Sequence, residues 1–226
     1  MQLFVPSGHA RVVAIVGQPI GQVRSPAVLN AELVRRRIDA VMIPIELPPQ
    51  ALAMFMTLLR SWSNAEGAVV TVPYKSPVTG LVDTLTDRAR LLGAANMVRR
   101  AADGSLHGDM VDGLGFMTAL AQHAIDIRGA RVAIFGGGAV GRAMLLALTE
   151  AGASSIMIHE PDLARANEFL NFARVAGLAH LTTMDAAKRY GEASLVVNAS
   201  PCALIGANAG GVGRHWPIDG PPVNGG

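Results

Sequence analysis

The sequence predicts an α/β protein of two domains, each built on a mainly parallel sheet. Short apolar runs alternate with helical segments along most of the chain, an order typical of parallel sheets covered by helices on both faces. Half of the 226 residues are hydrophobic and only 16% are charged. This composition supports a buried core and excludes a disordered chain. The length accommodates one large domain or two small ones.

The first half of the chain supplies the elements of the N-terminal domain. Strands are predicted at 11–16, 41–45 and 68–72, and helices at 25–37, 48–59, 78–82 and 86–92. Ser25 is expected to cap the first helix, with Pro26 at its first position. Thr86 is expected to cap the last helix, and Pro73 to stop the third strand. Asp103-Gly104 indicates a hairpin between segments 96–100 and 105–108.

The second half repeats the alternation after a helical link at 113–123. We place the boundary within this link, so that residues 1–118 form one domain and residues 119–226 the other. Strand 131–135, a helix to about residue 151, strand 155–159 and helix 163–176 form a βαβ unit, and a later strand is predicted at 196–198. The tail from Ala203 onward is rich in glycine and proline, which indicates irregular structure.

A glycine-rich turn lies inside the βαβ unit. It consists of Gly136, Gly137, Gly138, Ala139, Val140 and Gly141. The first glycine allows a tight turn, the second lets the backbone approach a pyrophosphate, and the following helix offers unpaired N–H groups to it. The pattern therefore predicts a Rossmann-type domain that binds NAD or NADP. A tight turn that binds nothing is the simpler alternative.

Glu160 follows the second strand of this unit, where the adenosine ribose of a dinucleotide lies. A carboxylate there accepts hydrogen bonds from ribose hydroxyls and repels a 2′-phosphate, which favours NAD over NADP. Arg142 and Arg165 are near enough in sequence to assist a phosphate, so NADP stays open. A solvated glutamate on a loop is the alternative without a ligand.

Charge, cysteine content and histidine spacing exclude several other classes of protein. The net charge is only +2, and the one basic cluster, at 35–37, fits an exposed helix face, so we expect no nucleic-acid partner. The single cysteine, Cys202, forms no internal disulfide and fits a reducing compartment. The sequence shows neither a signal peptide nor an apolar run of about 18 residues, so a cytoplasmic protein without a membrane span is expected. The histidines lack metal-ligand spacing, and no metal site is expected.

Lys75 and Asp112 carry the chemistry that the sequence suggests. Lys75 lies just past an apolar strand, at the end of Val70-Thr71-Val72-Pro73-Tyr74-Lys75. Asp112 lies in a glycine-rich segment downstream. A carbonyl oxygen needs a proton when a hydride reaches its carbon, and lysine can donate one. An ammonium, a carboxylate and a dinucleotide turn together indicate redox chemistry at a carbonyl or alcohol carbon.

Residues 11–206 resemble the shikimate dehydrogenase family, including its quinate-acting branches. The matching motifs occur in the family's order, which is more specific than any one of them. They are segment 17–26 with Ser25, segment 67–75 with Thr71 and Lys75, Gly93-Ala94-Ala95-Asn96, segment 108–116 with Asp112, the glycine turn at 136–143, and Asn198-Ala199-Ser200-Pro201.

The resemblance implies a role for each matched residue. Lys75 and Asp112 would be catalytic, Ser25, Thr71 and Asn96 would bind substrate, and Asn198 and Ser200 would line the nicotinamide side. The implied reaction is hydride transfer between NAD(P) and shikimate, 3-dehydroshikimate or a related cyclic hydroxy acid such as quinate. Simpler structural roles are the alternatives. Lys75 would then be a surface lysine, Ser25 and Asp112 would cap helices, Thr71 would be an ordinary strand residue, and Asn96 would brace a turn.

Several positions depart from the family pattern. Val23 replaces a serine that binds the substrate carboxylate, Val69 replaces an asparagine, and Met110 and Val111 replace asparagine and threonine. A catalytically impaired relative that binds a nucleotide or a partner is therefore the main alternative, and an oxidoreductase for another substrate is a third. We also see no counterpart of the family's closing segment. Its loss would expose apolar surface, which would favour either a homodimer or instability.

Overall fold

Two units, each with its own sheet, make up the chain, and the computed structural model describes residues 5–184 and 192–200. The units are Met1–Asp112 and Gly113–Gly226. The predicted boundary between residues 118 and 119 lies shortly after this division and stays a prediction. Cys202 and the glycine- and proline-rich tail lie outside the described residues.

The first unit is built on a six-stranded mixed sheet. Its elements are β1 (Arg11–Gly17), α1 (Ser25–Arg35), β2 (Ala40–Glu46), α2 (Leu52–Ser61), β3 (Ala65–Val70), β4 (Thr84–Leu85), α3 (Asp87–Leu92), β5 (Met97–Arg100) and β6 (Leu106–Asp109), with 3-10 turns at Pro49–Ala51 and Pro77–Leu81. The strand order is β2-β1-β3-β5-β6-β4. β1 pairs in parallel with β2 and β3, while β5 runs antiparallel to β3 and β6 as the predicted hairpin.

Both faces of this sheet are covered, as alternate residues of β1 show. Ala14 and Val16 pack into the larger apolar cluster, which includes the buried side chains of α2. Val13 and Ile15 pack into a second cluster on the opposite face. Successive strand residues point to opposite faces, so a strand buried on both sides appears as a continuous apolar run.

Two local predictions in this unit were wrong. β3 ends at Val70, before Thr71, because the Tyr74 amide bonds to the Thr71 carbonyl and turns the chain ahead of the predicted end. Ser25 is the first residue of α1 and not its cap. The cap position belongs to Arg24, whose backbone is already near-helical and whose side chain makes no capping hydrogen bond. The Thr86 cap of α3 is confirmed, since its side chain accepts a hydrogen bond from the Ala89 amide.

The second unit is built on a four-stranded parallel sheet. Its elements are α4 (Asp112–Gln122), which starts on the last residue of the first unit, β7 (Arg131–Phe135), α5 (Ala139–Glu150), β8 (Ser155–His159), α6 (Leu163–Val175), β9 (Thr182–Met184) and β10 (Leu195–Asn198), with a 3-10 turn at Ala179–Leu181. The strand order is β10-β7-β8-β9. The predicted βαβ unit is present, and the α/β class with mainly parallel sheets is confirmed.

The core of the second unit forms around β7 and β8. Val132, Ile134, Ile156 and Ile158 are fully buried in these two central strands. α5 contributes buried residues that include Leu145 and Leu148, and α6 contributes Phe169 and Ala173. Within the described part of the chain, none of the helices combines the length and apolar character needed to cross a membrane.

Candidate active site

Lys75 and Asp112 form an ion pair in the first unit. Lys75 follows the turn after β3, and Asp112 is the first residue of α4. Lys75 Nζ lies 2.6 Å from Asp112 Oδ2, and the two side chains are only 14% and 25% exposed. Burial penalises an isolated charge, and here each charged group has a partner of opposite charge within hydrogen-bond distance. The structure thus brings together the two residues that the sequence singled out.

The backbone around Lys75 fixes where this ammonium group lies. Thr71 N donates to Val16 O (2.9 Å), which keeps the chain beside β1 after β3 has ended. Tyr74 is buried, and its hydroxyl donates to the carbonyl of Leu47. Burial, with the nearby Glu46 carboxylate, raises the pKa of Tyr74, so the phenol stays neutral and acts as an anchor. These contacts hold the segment from Thr71 to Lys75 against the carboxyl ends of β1 and β2.

Asn96 links the segments that carry the ion pair. Its side-chain Nδ2 donates to Asp112 Oδ1 at 2.5 Å, and its Oδ1 accepts a hydrogen bond from Val111 N at 2.8 Å. The preceding amide, Ala95 N, donates to the carbonyl of Lys75 at 2.8 Å. The residue is buried, with 7% of its surface exposed. Three of the predicted site residues, Lys75, Asn96 and Asp112, therefore form one connected group.

Asp109 also supports Lys75, Asn96 and Asp112, because its carbonyl accepts a hydrogen bond from Asn96 N. The sequence did not lead us to predict this residue. Its carboxylate accepts hydrogen bonds from Arg88 Nε (2.7 Å), Thr86 Oγ1 (2.6 Å) and Met110 N (2.7 Å). Burial opposes ionisation of Asp109, but these hydrogen bonds lower its pKa overall. Its position at the end of a strand and three residues before Asp112 is a signal that could have identified it.

Ser25 and Thr71, the other predicted substrate residues, also belong to the first unit. Thr71 lies just past the carboxyl end of β3, and Ser25 begins α1 after the loop that follows β1. Ligands of open α/β sheets bind outside the carboxyl ends of the strands, which is where both residues lie. Val23 belongs to the same loop and packs against the apolar cluster of Ile15, Ile20 and Met42.

The glycine turn of the second unit has different steric requirements at each glycine. A Cβ on Gly141 would lie 2.0 Å from the carbonyl oxygen of Gly136, so only glycine lets α5 start this close to the turn. Gly136 has φ +104°, and a Cβ there would lie 2.8 Å from the amide of Ser200. Among the described residues, and leaving aside its neighbours in the chain, a Cβ on Gly138 would meet no atom within 4 Å. The protein's own packing therefore does not require glycine at position 138.

These features fit a dinucleotide. The open space at Gly138 is where a pyrophosphate approaches the backbone in a Rossmann-type turn. Gly138 is the N-cap of α5 and makes no side-chain capping hydrogen bond. Within the described part of the chain, the first amides of the helix, at Ala139 and Val140, are therefore positioned to bind an anion. Gly137 is buried beside Glu160 and contributes its own amide to that side chain.

Glu160 turns back into the glycine turn and is not a solvated loop residue. Its side chain is 6% exposed. Oε2 accepts a hydrogen bond from Gly137 N at 2.9 Å, and Oε1 accepts one from Asp162 N at 3.1 Å. Arg165 Nη2 lies 3.5 Å from Oε1. The structure thus fixes a carboxylate between the turn and the end of β8, while the Arg165 guanidinium is directed toward this carboxylate.

Asn198 and Ser200 form a loop at the end of β10, beside the glycine turn. Asn198 Oδ1 accepts hydrogen bonds from Ser200 N (3.0 Å) and Ser200 Oγ (2.7 Å). Ala199 N donates to Phe135 O at 2.8 Å, which ties the loop to the end of β7. The predicted cofactor residues thus come together within the second unit. Among residues 5–184 and 192–200, no group of three His, Cys, Asp or Glu side chains is arranged to hold a metal ion.

Comparisons with known proteins match two families, one in each half of the chain. Residues 15–98 match the family described as shikimate dehydrogenase substrate binding domain. Residues 131–209 match the family described as NADP oxidoreductase coenzyme F420-dependent. The first match covers Lys75 and Asn96, and the second covers the glycine turn and Glu160.

Curated relatives and solved structures extend the match to most of the chain. The shikimate dehydrogenase (NADP(+)) of Rhodospirillum rubrum is 34% identical over 205 residues, which cover 88% of this chain and 72% of that protein. The enzyme of the same name from Acidiphilium cryptum is 31% identical, over 91% of this chain and 72% of that protein.

Two solved structures with bound ligands have the same fold. Shikimate 5-dehydrogenase from Listeria monocytogenes, in complex with shikimate and NAD, has a TM-score of 0.76 at 25% identity, covering 88% of this chain and 72% of that one. Quinate dehydrogenase from Corynebacterium glutamicum, in complex with NAD, has a TM-score of 0.74 at 25% identity, covering 85% and 71%. The chain therefore belongs to the shikimate dehydrogenase family of NAD(P)-dependent oxidoreductases.

Proposed function

We propose that this protein transfers a hydride between NAD(P) and a ring alcohol or ketone of shikimate, quinate or a similar cyclic hydroxy acid. The observation that carries the proposal is the mostly buried ion pair between Lys75 and Asp112, whose charged atoms are 2.6 Å apart. The named relatives act on shikimate or quinate, and the Listeria enzyme was crystallised with shikimate itself.

Lys75 is suited to handle the proton at the reacting oxygen. The bound dinucleotide supplies the hydride in the reducing direction. As the ring carbonyl oxygen gains negative charge, the ammonium of Lys75 stabilises that charge and donates a proton to the oxygen, which becomes a hydroxyl. Asp112 holds the Lys75 side chain in place. After the transfer Lys75 is a neutral amine, and a proton from solvent restores the ammonium beside Asp112. In the oxidising direction the step runs in reverse, so Lys75 must first be the neutral amine, which accepts the hydroxyl proton and then releases it to solvent.

Lysine removal is the direct test of this role. With shikimate or quinate and either dinucleotide, Lys75→Ala should lower kcat by about 10²- to 10⁴-fold, the usual contribution of a positioned proton donor. Arg11→Ala is the matched control, since it removes an exposed cation that pairs with Glu66. Activity that survives Lys75→Ala would contradict the lysine role. NAD binding without turnover in the wild-type protein would favour the catalytically impaired alternative.

The loop between β1 and α1, which contains Val23, suggests a second candidate class of substrate. The Val23 side chain packs with Ile15, Ile20 and Met42, and it offers no hydrogen-bond donor to a carboxylate. An oxidoreductase for a cyclic alcohol without a carboxylate is therefore the second candidate function. A panel of paired substrates, with and without the carboxylate, separates the two. A higher kcat/KM for the hydroxy acids supports the first proposal, and a higher kcat/KM for the neutral alcohols supports the second.

We propose further that NAD is preferred over NADP. The Glu160 carboxylate is fixed at the end of β8 by Gly137 N and Asp162 N, and negative charge there repels a 2′-phosphate. Arg165 is directed toward Glu160 and Asp162, at 3.5 and 3.6 Å, and its positive charge is already partly balanced by them. We further assign Ser25 and Thr71, in the first unit, to substrate binding, and Asn198 and Ser200, in the second unit, to the nicotinamide end of the cofactor.

The cofactor preference depends on charge, and a matched pair of variants isolates that charge. Glu160→Gln keeps a side-chain oxygen for the Gly137 amide but removes the negative charge. It should raise the affinity for NADP relative to NAD by about tenfold, equivalent to about 1.4 kcal/mol. Glu160→Ala removes both the charge and the support of the turn, so it should weaken both cofactors as well. Unchanged NAD/NADP selectivity in Glu160→Gln, measured by nucleotide titration, would refute the role of the carboxylate.

A further inference from the structure

The carboxamide of Asn96 is engaged by the protein at both ends. Its Nδ2 donates to Asp112 Oδ1 at 2.5 Å, and its Oδ1 accepts from Val111 N at 2.8 Å. A carboxamide has one oxygen acceptor and one NH₂ donor group. The contact with Asp112 is charge-assisted, because an ionised carboxylate accepts it, and such hydrogen bonds are among the stronger ones in proteins.

The main chain of Asn96 is equally constrained. Its N–H donates to the carbonyl of Asp109 at 2.9 Å, and its own carbonyl accepts from Val70 N at 2.8 Å. The residue therefore bridges the ends of β3 and β6, the strands that lead to Lys75 and Asp112. A group that directs a reacting side chain must itself be rigid, and these four hydrogen bonds make Asn96 rigid.

The two oxygens of Asp112 have separate partners. Oδ1 bonds to Asn96, and Oδ2 bonds to Lys75. Anchoring Oδ1 stops rotation of the carboxylate and directs Oδ2 at the ammonium. We propose that Asn96 is a positioning residue for proton transfer: it orients Asp112, which in turn orients Lys75. This inference rests on the catalytic roles proposed above, and it assigns Asn96 more than contact with a substrate hydroxyl.

The Asn96→Asp variant separates positioning from bracing of the turn. The introduced carboxyl still accepts the hydrogen bond from Val111 N, but once ionised it cannot donate to Asp112 and repels it. We expect kcat to fall by about 10- to 100-fold at neutral pH, the scale of losing 1.4 to 2.7 kcal/mol of transition-state stabilisation. Part of the activity should return as the pH falls and the introduced carboxyl is protonated. A wild-type kcat and pH profile would overturn the proposal.

Asn96→Ala, with Asn64→Ala as control, distinguishes positioning from substrate binding. Asn64 also makes two side-chain hydrogen bonds in the first unit, to Trp62 Nε1 and to the Ala10 carbonyl. Asn96→Ala should lower kcat while KM changes by less than about threefold, because the orienting contact matters in the transition state. Asn64→Ala should leave both constants near wild type. A raised KM with unchanged kcat in Asn96→Ala would mean that the residue only binds substrate.

A double-mutant cycle tests whether Asn96 acts through Asp112. If it does, Asn96→Ala should lower kcat by less than about twofold once Asp112→Ala has removed the group that it orients, since coupled residues are not additive. An equal fold-loss in both backgrounds would overturn the proposal. The cycle is measured under conditions in which the Asp112→Ala variant retains detectable turnover.

A last measurement does not depend on activity. The sequence holds only two lysines, Lys75 and Lys188, so the acetylation rate of each can be followed by mass spectrometry without substrate or cofactor. Asn96→Ala removes the group that orients the Asp112 carboxylate, and Asp112→Ala removes that carboxylate, so both variants should weaken its hold on the Lys75 amine. The acetylation rate of Lys75 relative to Lys188 should therefore rise in both variants, but not in Asn64→Ala. Faster reaction in Asp112→Ala alone would overturn the inference. If the protein proves inactive, this experiment still decides the role of Asn96, so the two failures remain distinguishable.

Discussion

At the scale of single residues, the site depends on charges that the fold pairs away from solvent. Lys75 forms an ion pair with Asp112. Asp109 forms an ion pair with Arg88 and accepts a hydrogen bond from the hydroxyl of Thr86. Leaving a buried charge without its partner costs more than the pair itself contributes. Such pairs therefore fix geometry more than they add stability, which is what a proton donor requires of its surroundings.

Asp109 gives this arrangement a dependence on pH. Its pKa in the folded protein lies below the unfolded value of about 3.9, so its stabilising contribution is present above that pH. The contribution is lost as the pH falls through the lower, folded pKa. The first unit should therefore lose stability in acid, and part of that loss should require Asp109.

The Asp109→Asn variant tests this expectation. It should lower the free energy of unfolding at pH 7 by about 1–3 kcal/mol and flatten its fall toward pH 3, because Met110 N, Thr86 and Arg88 lose an ionised acceptor. Urea titrations followed by Trp62 fluorescence, in a Trp216→Phe background, report on the first unit. Asp126→Asn is the control, since Asp126 pairs with Arg128 at an exposed position. Equal pH slopes in wild type and Asp109→Asn would contradict the expectation.

At the scale of elements, the glycine turn separates what the fold requires from what the ligand requires. Gly141 is needed by the protein, because a Cβ would lie 2.0 Å from the Gly136 carbonyl oxygen. Glycine is not needed at position 138, because a Cβ there would touch none of the described residues beyond its chain neighbours, and its φ of −72° suits any L-residue. The same substitution at the two positions should therefore have opposite consequences.

Gly141→Ala should destabilise the second unit by about 1–3 kcal/mol, the usual cost of forcing an extra carbon into a packed site. Gly138→Ala should change the free energy of unfolding by less than about 0.5 kcal/mol and yet weaken dinucleotide binding at least tenfold, since its methyl group occupies the approach of the pyrophosphate. Thermal melts and titration with NADH measure the two effects. Wild-type affinity in Gly138→Ala would exclude this turn as the dinucleotide site.

The elements that the sequence predicted well are those with strong local signals. β7 and β8 are apolar runs with a glycine within three residues of one end, and both were placed at their observed bounds. β3 was predicted to start at residue 68, but it starts at Ala65, because Glu66 and Gly67 in its first half are residue types with low strand propensity. A Cβ at Gly67 would lie 2.0 Å from the Val98 carbonyl, so the neighbouring strand decides this residue, and local sequence does not show it.

Side-chain direction was the harder part of the site to predict. The motifs identified Asn96 and Glu160, but not that Asn96 would bond to Asp112 or that Glu160 would turn back to Gly137. Both contacts join residues that are well separated along the chain. They depend on how strands align in three dimensions, and a linear pattern does not encode that alignment directly.

At the scale of the whole molecule, each part of the proposed site is assembled within one unit. Lys75, Asn96 and Asp112 are held by hydrogen bonds inside the first unit. The glycine turn and Glu160 are held by contacts inside the second. The substrate residues in the first unit and the cofactor residues in the second should therefore be arranged before either ligand binds. Binding of one ligand should not require the other.

Hydrogen exchange followed by mass spectrometry tests this independence on the intact chain. NAD alone should slow exchange at the glycine turn and around Glu160, because ligand binding stabilises the closed state of the amides that it contacts. Shikimate alone should slow exchange around Lys75, Asn96 and Asp112. The Gly138→Ala variant should lose the first effect and keep the second, while Lys75→Ala should keep the first. If shikimate protects its segments only when NAD is present, the first unit is not preformed, and binding must be ordered with the cofactor first.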